Sequence, residues 1–584
     1  MQTAVDAGDA AALLAAVPAG RRVALVDPRF VGHVHALRLG LTDPRFAAAA
    51  VPGALTAQPE ARGALLRALR RTTAAVGAGA PVVEPDTDPA PEDRTVPGRI
   101  VVALESDGTA VQRPALGSLV AAVPTDPEQR AAAEADLASV DDEAVRLRSA
   151  VKAHDGFFTT FCISPYSRYI ARWCARRNLT PNQVTTASLI TALIAAGAAA
   201  TGTRGGYVAA GILLLVSFVL DCTDGQLARY SLQYSTMGAW LDATFDRAKE
   251  YAYYAGLAIG AVRGGDDVWV LALGAMVLQA CRHVVDFSFN EANHDAVANT
   301  SPTAALSDKL DNVGWTVWAR RMIVLPIGER WAMIAVLTAL TTPRIVFYAL
   351  LVGCALAACY TTAGRLLRSL TRKARRTDRA AQALADLADS GPLAQGVAAV
   401  APGLRGAFTA PAVALLGTLV MIGGALFLPY GSWLTVAAAA VYVVLSGLAV
   451  ARPLKGALDW LVPPLFRAAE YVTILVLAAR SDVPHAVPAA FGLVSAVAYH
   501  HYDTVYRIRG GTGAPPQWLV RTIGGHEGRT ALVAVLAAVL THASGFTTAL
   551  TALAVAVALV VLVESIRFWV SSSAPAVHDE GELA

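Results

Sequence analysis

Gly211-Ile-Leu-Leu-Leu-Val-Ser-Phe-Val-Leu-Asp221-Cys-Thr-Asp224-Gly225-Gln-Leu-Ala-Arg229 carries an apolar run straight into two carboxylates, a glycine and an arginine. Eight residues later, Gly238-Ala-Trp-Leu-Asp242-Ala-Thr-Phe-Asp246 adds a second glycine and two more carboxylates, again inside an apolar helical pattern. With Ala228 counted, eight fixed identities at these offsets arise from background residue usage about once in 10^10 starting positions, so chance is excluded. On helices, Asp221 and Asp224 share a face at i, i+3, and Asp242 and Asp246 share one at i, i+4. A short turn between the two helices brings those faces together.

Four carboxylates converging in an apolar setting require cations, because each uncompensated charge there costs several kcal/mol or is neutralised by protonation. An oxygen-only set without histidine or thiolate at matching spacing favours a hard divalent ion, Mg2+ or Mn2+, over zinc. Two such ions about 4 Å apart form the kind of site that serves phosphoryl displacement. Gly225 and Gly238 remove side chains where a pyrophosphate or nucleobase would approach the backbone. Arg229 reads equally well as a phosphate ligand or as a cation reaching toward the membrane interface.

The run resembles the signature of the CDP-alcohol phosphotransferase family at every fixed position, and Leu179-Thr-Pro-Asn182-Gln-Val-Thr resembles that family's entry into its first membrane helix. The likeness covers about residues 160–365. It implies that Asp221, Asp224, Asp242 and Asp246 bind a pair of divalent ions and that Gly225, Arg229 and Gly238 hold the CDP moiety. Asp246 would also act as general base. An acceptor alcohol would attack the β-phosphorus of a CDP-alcohol, commonly CDP-diacylglycerol, and CMP would leave. Products of the family include phosphatidylinositol phosphate, phosphatidylglycerophosphate and cardiolipin, and its members usually form homodimers.

Composition agrees with a bilayer protein: 55% of the 584 residues are hydrophobic and only 16% charged. The net charge of +3 argues against a nucleic-acid partner. The six cysteines form no CxxC pair and indicate neither zinc nor a disulfide framework. The expected fold is mainly α. A small soluble α/β domain occupies 1–150, an amphipathic juxtamembrane segment 151–182, and a six-span catalytic bundle 183–365. A cytoplasmic linker over 366–405, a second six-span domain over 406–572 and a polar tail over 573–584 complete the chain. Within the first domain, β-like runs are expected at Arg22 to Val26, Arg99 to Leu104 and Ser118 to Val123. One helix is expected from Pro59 to Val76 and another from Pro127 to Val151, with an exposed loop from Pro81 to Pro97.

Spans are expected near 183–201, 206–228, 237–262, 268–288, 322–341 and 344–362, then 409–429, 433–451, 460–480, 485–506, 528–545 and 547–570. The start of the chain lacks the basic and apolar regions of a signal peptide. Basic residues concentrate in alternate loops, Arg365 to Arg379 above all, which places the active site and both termini in the cytoplasm of a bacterial plasma membrane. The stretch Phe157 to Asn178 interleaves aromatics with Arg168, Arg172, Arg176 and Arg177, as a helix lying on anionic lipid does.

Arg282, Arg320 and Arg321 are candidates for binding an acceptor phosphate, such as that of an inositol-phosphate-type polyol. Pairing with Asp286 at i+4 is the competing role for Arg282. His283 reads as a hydrogen-bonded helix residue rather than a base. A soluble domain fused ahead of the membrane domain weakly resembles the bifunctional inositol-phosphate cytidylyltransferase and phosphotransferase enzymes. Residues 1–150 lack the Gly-rich phosphate loop of a cytidylyltransferase, so such a domain would be a degenerate nucleotidyltransferase.

The second membrane half echoes the first. Asp246-Arg-Ala-Lys-Glu250-Tyr aligns with Phe466-Arg-Ala-Ala-Glu470-Tyr, and His283-Val-Val-Asp286 with His500-His-Tyr-Asp503. Val462 and Phe466 stand where Asp242 and Asp246 would be, so this half is expected to be an inactive repeat serving as an internal pseudo-dimer partner. Twelve spans in two related halves also describe a secondary transporter, the competing reading, but the acidic cluster is confined to one half.

Overall fold

The computed structural model describes residues 4, 7–43, 46–77, 95–152, 155–294, 323–371, 375–401, 403, 406, 408–540 and 544–571. The N-terminal domain has helices α1 (Ala7–Ala16), α2 (Val34–Leu41), α3 (Arg62–Gly77), α4 (Val96–Ser106), α5 (Pro127–Ser139) and α6 (Asp142–Ser149). Its antiparallel sheet has the order β1 (Val23–Val26), β4 (Ala54–Ala57), β3 (Ala48–Val51), and β2 (Val31–Gly32) pairs with β5 (Ala121–Ala122). The β3–β4 hairpin turns through Pro52-Gly53, where Gly53 takes φ +77°, the left-handed position that favours glycine. Leu55, Leu65, Leu69, Ile100 and Leu104 fill the core between sheet and helices.

Two expectations for this domain are corrected. Arg99 to Leu104 is helical, because Thr95 caps α4 through the Gly98 N–H at 3.0 Å and Pro97 sits in its first turn. Pro127 to Val151 is two helices, separated where Asp141 caps α6. The expected loop from Pro81 to Pro97 lies outside the described residues up to 94 and opens α4 thereafter.

Helix α7 (Ser164–Arg176) lies ahead of the bundle with Tyr166, Tyr169 and Trp173 exposed, as is Phe161 in the turn before it. Arg177 covers the Trp173 ring at 4.0 Å, and Arg172 lies 5.2 Å from that of Tyr169. Aromatic bodies with cationic tips suit the membrane–water boundary.

Six helices follow: α8 (Pro181–Ala200), α9 (Arg204–Ser231), α10 (Thr236–Arg263), α11 (Trp269–Asn293), α12 (Ile327–Leu340) and α13 (Pro343–Thr371). After α14 (Asp378–Ala388) and α15 (Pro392–Val400) come α16 (Thr409–Phe427), α17 (Trp433–Val450), α18 (Val462–Arg480), α19 (Ala486–Arg509), the short α20 (Gln517–Thr522), α21 (Gly525–Val539) and α22 (Gly545–Ser571). All twelve expected spans are therefore helices. Eight, namely α8, α9, α11, α13, α16, α17, the Asp459–Arg480 unit and α22, are long and apolar enough to cross a bilayer. Among the other four, α12 and α21 have 14 and 15 residues, α10 carries six charged side chains, and α19 is made less apolar by Tyr499-His500-His501-Tyr502-Asp503. Outward-facing Ile190, Ile194, Ile212, Leu356, Leu419 and Leu559 are exposed, as lipid-facing side chains are. The chain is an integral membrane protein.

The segment expected as a surface linker is also corrected. Helix α14 buries Ala380, Ala381, Ala383, Leu384 and Leu387 and packs on α11, α18 and α19. Its pattern of alanine and leucine at helical spacing is an inward face.

Candidate active site

Helix α9 ends at Leu232, whose φ of 53° terminates it, and Ser235 caps α10 by accepting the Gly238 N–H at 2.9 Å. That tight reversal sets the depth of every carboxylate. At 1.5 Å per residue, Asp221 lies about 15 Å before the end of α9 and Asp246 about 15 Å beyond the start of α10, with Asp224 and Asp242 one turn nearer the reversal. Asp221 accordingly faces Asp246, and Asp224 faces Asp242. Carboxylate oxygens of Asp221, Asp242 and Asp246 all lie within 4.8 Å of one another. Asp224 stands beside this trio rather than in it, and it is the most buried of the four.

Lys249, one turn beyond Asp246, sends its ammonium into the cluster. It hydrogen-bonds Asp221 and lies 3.0 Å from Asp246 Oδ1. No role for Lys249 was expected from sequence. The signal was available, since a lysine within a membrane helix is expensive and takes a partner inside the bundle. One ammonium cannot neutralise four carboxylates. Asp224 Oδ2 is buried without a hydrogen-bond partner among the described residues, and Asp246 Oδ1 has the Lys249 ammonium beside it at 3.0 Å. Hard oxygen donors, excess negative charge and the unpartnered Asp224 oxygen fit divalent ions such as Mg2+ or Mn2+.

The two glycines differ. A methyl at Gly238 would lie 2.8 Å from both Asn182 Oδ1 and Ser235 Oγ, so the absence of a side chain there lets α10 meet the start of α8. At Gly225 a methyl would meet only the Arg229 guanidinium, at 3.5 Å, so packing alone does not require glycine. Arg229 donates Nε to the Ala150 carbonyl at 2.6 Å while its other nitrogens lie over Gly225. Two further arginines tie the N-terminal domain to the same helix end: Arg38 reaches the Ser231 carbonyl at 3.2 Å and Arg146 the Tyr230 carbonyl at 3.1 Å. Cations on the last carbonyls of α9 suit its negative terminus.

Among the acceptor candidates, Arg282 is buried on α11 and hydrogen-bonds the Val324 carbonyl; its Nη1 has no hydrogen-bond partner among the described residues. Asp286, its expected partner, forms an ion pair with Arg365. Arg320 and Arg321 lie outside the described residues. His283 Nε2 lies 2.7 Å from Gln279 Nε2 and 3.3 Å from Arg247 Nη1, a held helix residue as expected. Arg247 pairs with Glu250 at 2.8 Å.

Comparison with known proteins follows the same division of the chain. Residues 178–358 match the CDP-alcohol phosphatidyltransferase family, and residues 378–584 match a family of unknown function (DUF5941). An archaetidylinositol phosphate synthase of Pyrococcus horikoshii is 30% identical over 113 residues, 19% of this chain and 58% of that protein. A phosphatidylinositol phosphate synthase of Streptomyces avermitilis is 31% identical over 131 residues, 22% of this chain and 51% of that protein. A bifunctional IPC transferase and DIPP synthase of Aquifex aeolicus is 31% identical over 132 residues, 22% of this chain and 29% of that protein. The chain thus spans about half the length, or less, of these curated relatives. With its motif helices and their carboxylates inside the matched segment, residues 178–358 of this chain are a CDP-alcohol phosphatidyltransferase domain.

Proposed function

We propose that the protein transfers a phosphoalcohol group, phosphatidyl in the leading case, from a CDP-alcohol such as CDP-diacylglycerol to the hydroxyl of an inositol-phosphate-type polyol, releasing CMP. The observation that carries the reading is the convergence of the Asp221, Asp242 and Asp246 carboxylates, within 4.8 Å of one another, between the two motif helices of that domain. The names of the relatives favour an inositol-phosphate acceptor. The transporter reading gains no support from them.

Asp221, Asp224, Asp242 and Asp246 would hold two divalent ions, Mg2+ or Mn2+. When bound, such ions supply charge neutralisation on the phosphates and on the departing CMP. Gly225 leaves room for the pyrophosphate beside the Arg229 guanidinium, whose fork of donors suits a phosphate. Gly238 contributes at the start of α10 by keeping the helices close enough for their carboxylates to meet. Asp246 accepts the proton of the attacking hydroxyl as the new bond to the β-phosphorus forms and the bond from that phosphorus to the oxygen of CMP breaks. Lys249 offsets repulsion between Asp221 and Asp246 and keeps them oriented. Arg282, Arg320 and Arg321 are the acceptor-phosphate ligands in this scheme.

The site opens to the cytoplasm of a bacterial plasma membrane, with both termini on that side, as the loop arginines favour. Incubating purified protein with Mn2+ or Mg2+, labelled CDP-diacylglycerol and a panel of polyol phosphates tests the reading. The expected product is a phosphatidylinositol phosphate with equimolar CMP. Absence of CMP with every acceptor contradicts it.

A further inference from the structure

Residues 378–571 repeat the packing plan of residues 157–371 helix by helix. In the first set, α8 packs on α9 and α10, α9 on α12, α10 on α11, α11 on α13, and α12 on α13. In the second, α16 packs on α17 and α18, α17 on α21, α18 on α19, α19 on α22, and α21 on α22. First meets second and third, second meets fifth, third meets fourth, and sixth meets fourth and fifth in both. The preceding helices correspond too, with α7 on α9 and α15 on α17.

Buried polar groups repeat with the helices. Arg247 Nη1 lies 2.8 Å from Glu250 Oε2, and Arg467 Nη1 lies 2.8 Å from Glu470 Oε2. The fifth helix of each set closes the cluster: Arg330 Nε lies 3.2 Å from Glu250 Oε1, and Arg529 Nε lies 2.6 Å from Glu470 Oε1. Beside each of those arginines a glutamate accepts backbone N–H groups from the segment preceding the bundle. Glu329 takes Phe158 at 3.3 Å, and Glu527 takes Gly391 and Ala394, each at 3.0 Å. Shared apolar composition does not reproduce an Arg–Glu–Arg ion cluster on the same two helices.

The catalytic position is where the sets part. Val462 and Phe466 replace the carboxylates of α10. The Phe466 ring stacks on His526 at 4.2 Å, and Tyr442 OH lies 2.7 Å from His526 Nδ1. All four side chains are buried, leaving a sealed aromatic plug. The two sets meet reciprocally: α10 packs on α19, α11 on α18, and α11 on α19. Exchange of third and fourth helices in this way is what a pseudo-two-fold axis produces. Across that face Trp569 stacks on Trp240 at 6.2 Å, and Tyr502 lies under Arg247 at 5.2 Å.

We propose that residues 378–571 are a duplicated copy of residues 157–371 whose carboxylate site has been replaced by an aromatic plug. This copy covers the α10–α11 face as a built-in partner, so one chain with one catalytic site is the complete particle. The proposal rests on packing and stands apart from the reaction assigned to the first copy.

The test pairs Met276→Cys with Ser495→Cys in the full chain freed of native cysteines, since the Ser495 hydroxyl lies 3.3 Å from the Met276 sulfur across this face. A short bis-maleimide should join the two cysteines within one chain and give no covalent dimer. Light scattering of the unaltered protein in detergent should give one polypeptide of 60.8 kDa per particle. A covalent dimer, no cross-link at all, or a two-chain particle overturns the proposal.

Discussion

The Lys249 ammonium lies 3.0 Å from Asp246 Oδ1 while also hydrogen-bonding Asp221, so a single side chain bridges the two motif helices at their deepest carboxylates. It occupies part of the space and charge that a divalent cation would share. Lys249→Met should therefore tighten Mn2+ binding by about tenfold, or about 1.4 kcal/mol, measured by electron paramagnetic resonance of the purified protein. Unchanged Mn2+ affinity with a lowered melting temperature would make the lysine purely structural.

The glycines should separate by phenotype. Gly238→Ala forces a methyl to within 2.8 Å of Asn182 and Ser235 and should destabilise by about 1–3 kcal/mol. Gly225→Ala meets only the Arg229 side chain, and should leave the melting temperature nearly unchanged while raising KM for the CDP-linked donor. Thermal unfolding together with donor kinetics reads both. Equal melting curves for the two variants would remove the distinction.

In the second half, Arg529 is buried against Asp389 at 2.8 Å and Glu470 at 2.6 Å. Arg529→Met leaves two buried carboxylates short of a partner and should cost about 3–5 kcal/mol, although the site lies far along the chain from the aspartate motif. Chemical unfolding in detergent checks this. A loss below about 0.5 kcal/mol would mean that the cluster is solvated rather than sealed.

Burial of His35 in the N-terminal domain, and after it the charges of Arg146 and Arg38, hold its pKa down to about 4. Its folded form is neutral where the unfolded form, with a pKa near 6.5, takes a proton. Its burial therefore costs nothing above about pH 6.5, and stability falls as pH drops from there toward 4. The domain's melting temperature should decline across that window, and His35→Gln should flatten the decline. An equal slope in the variant would place the titration elsewhere.

Much of this architecture is legible in sequence because membrane helices announce themselves. Apolar patterning placed all twelve helices, eight of them long and apolar enough to span a bilayer, and four aspartates within two of the twelve marked the candidate site. Alternation failed in the N-terminal domain. Arg99 to Leu104 reads as a strand, yet the Thr95 cap and Pro97 commit it to α4, while the alanine-rich Ala48 to Ala57 hairpin carries too few β-branched residues to stand out. Helix α14 was misread because alanine leaves little contrast between a buried and an exposed face. The string Asp246-Arg247-Ala248-Lys249-Glu250 leaves the partner of Lys249 open, since only the fold shows that it turns toward Asp221 rather than toward Glu250. The gathering of Asp221, Asp242 and Asp246, with Asp224 set beside them, depends on the length of the Leu232–Ser235 reversal, which spacing alone leaves open.

The most direct measurement compares CMP release from labelled CDP-diacylglycerol by the unaltered protein and by Asp246→Asn, in Mg2+ or Mn2+ with an inositol phosphate acceptor. The unaltered protein should release CMP stoichiometrically with phosphatidylinositol phosphate. The variant should be folded and membrane-inserted but slower by at least about 10^3-fold, the upper range for losing a positioned base and metal ligand together. Full turnover by Asp246→Asn would contradict the assignment of the carboxylate cluster as the catalytic centre.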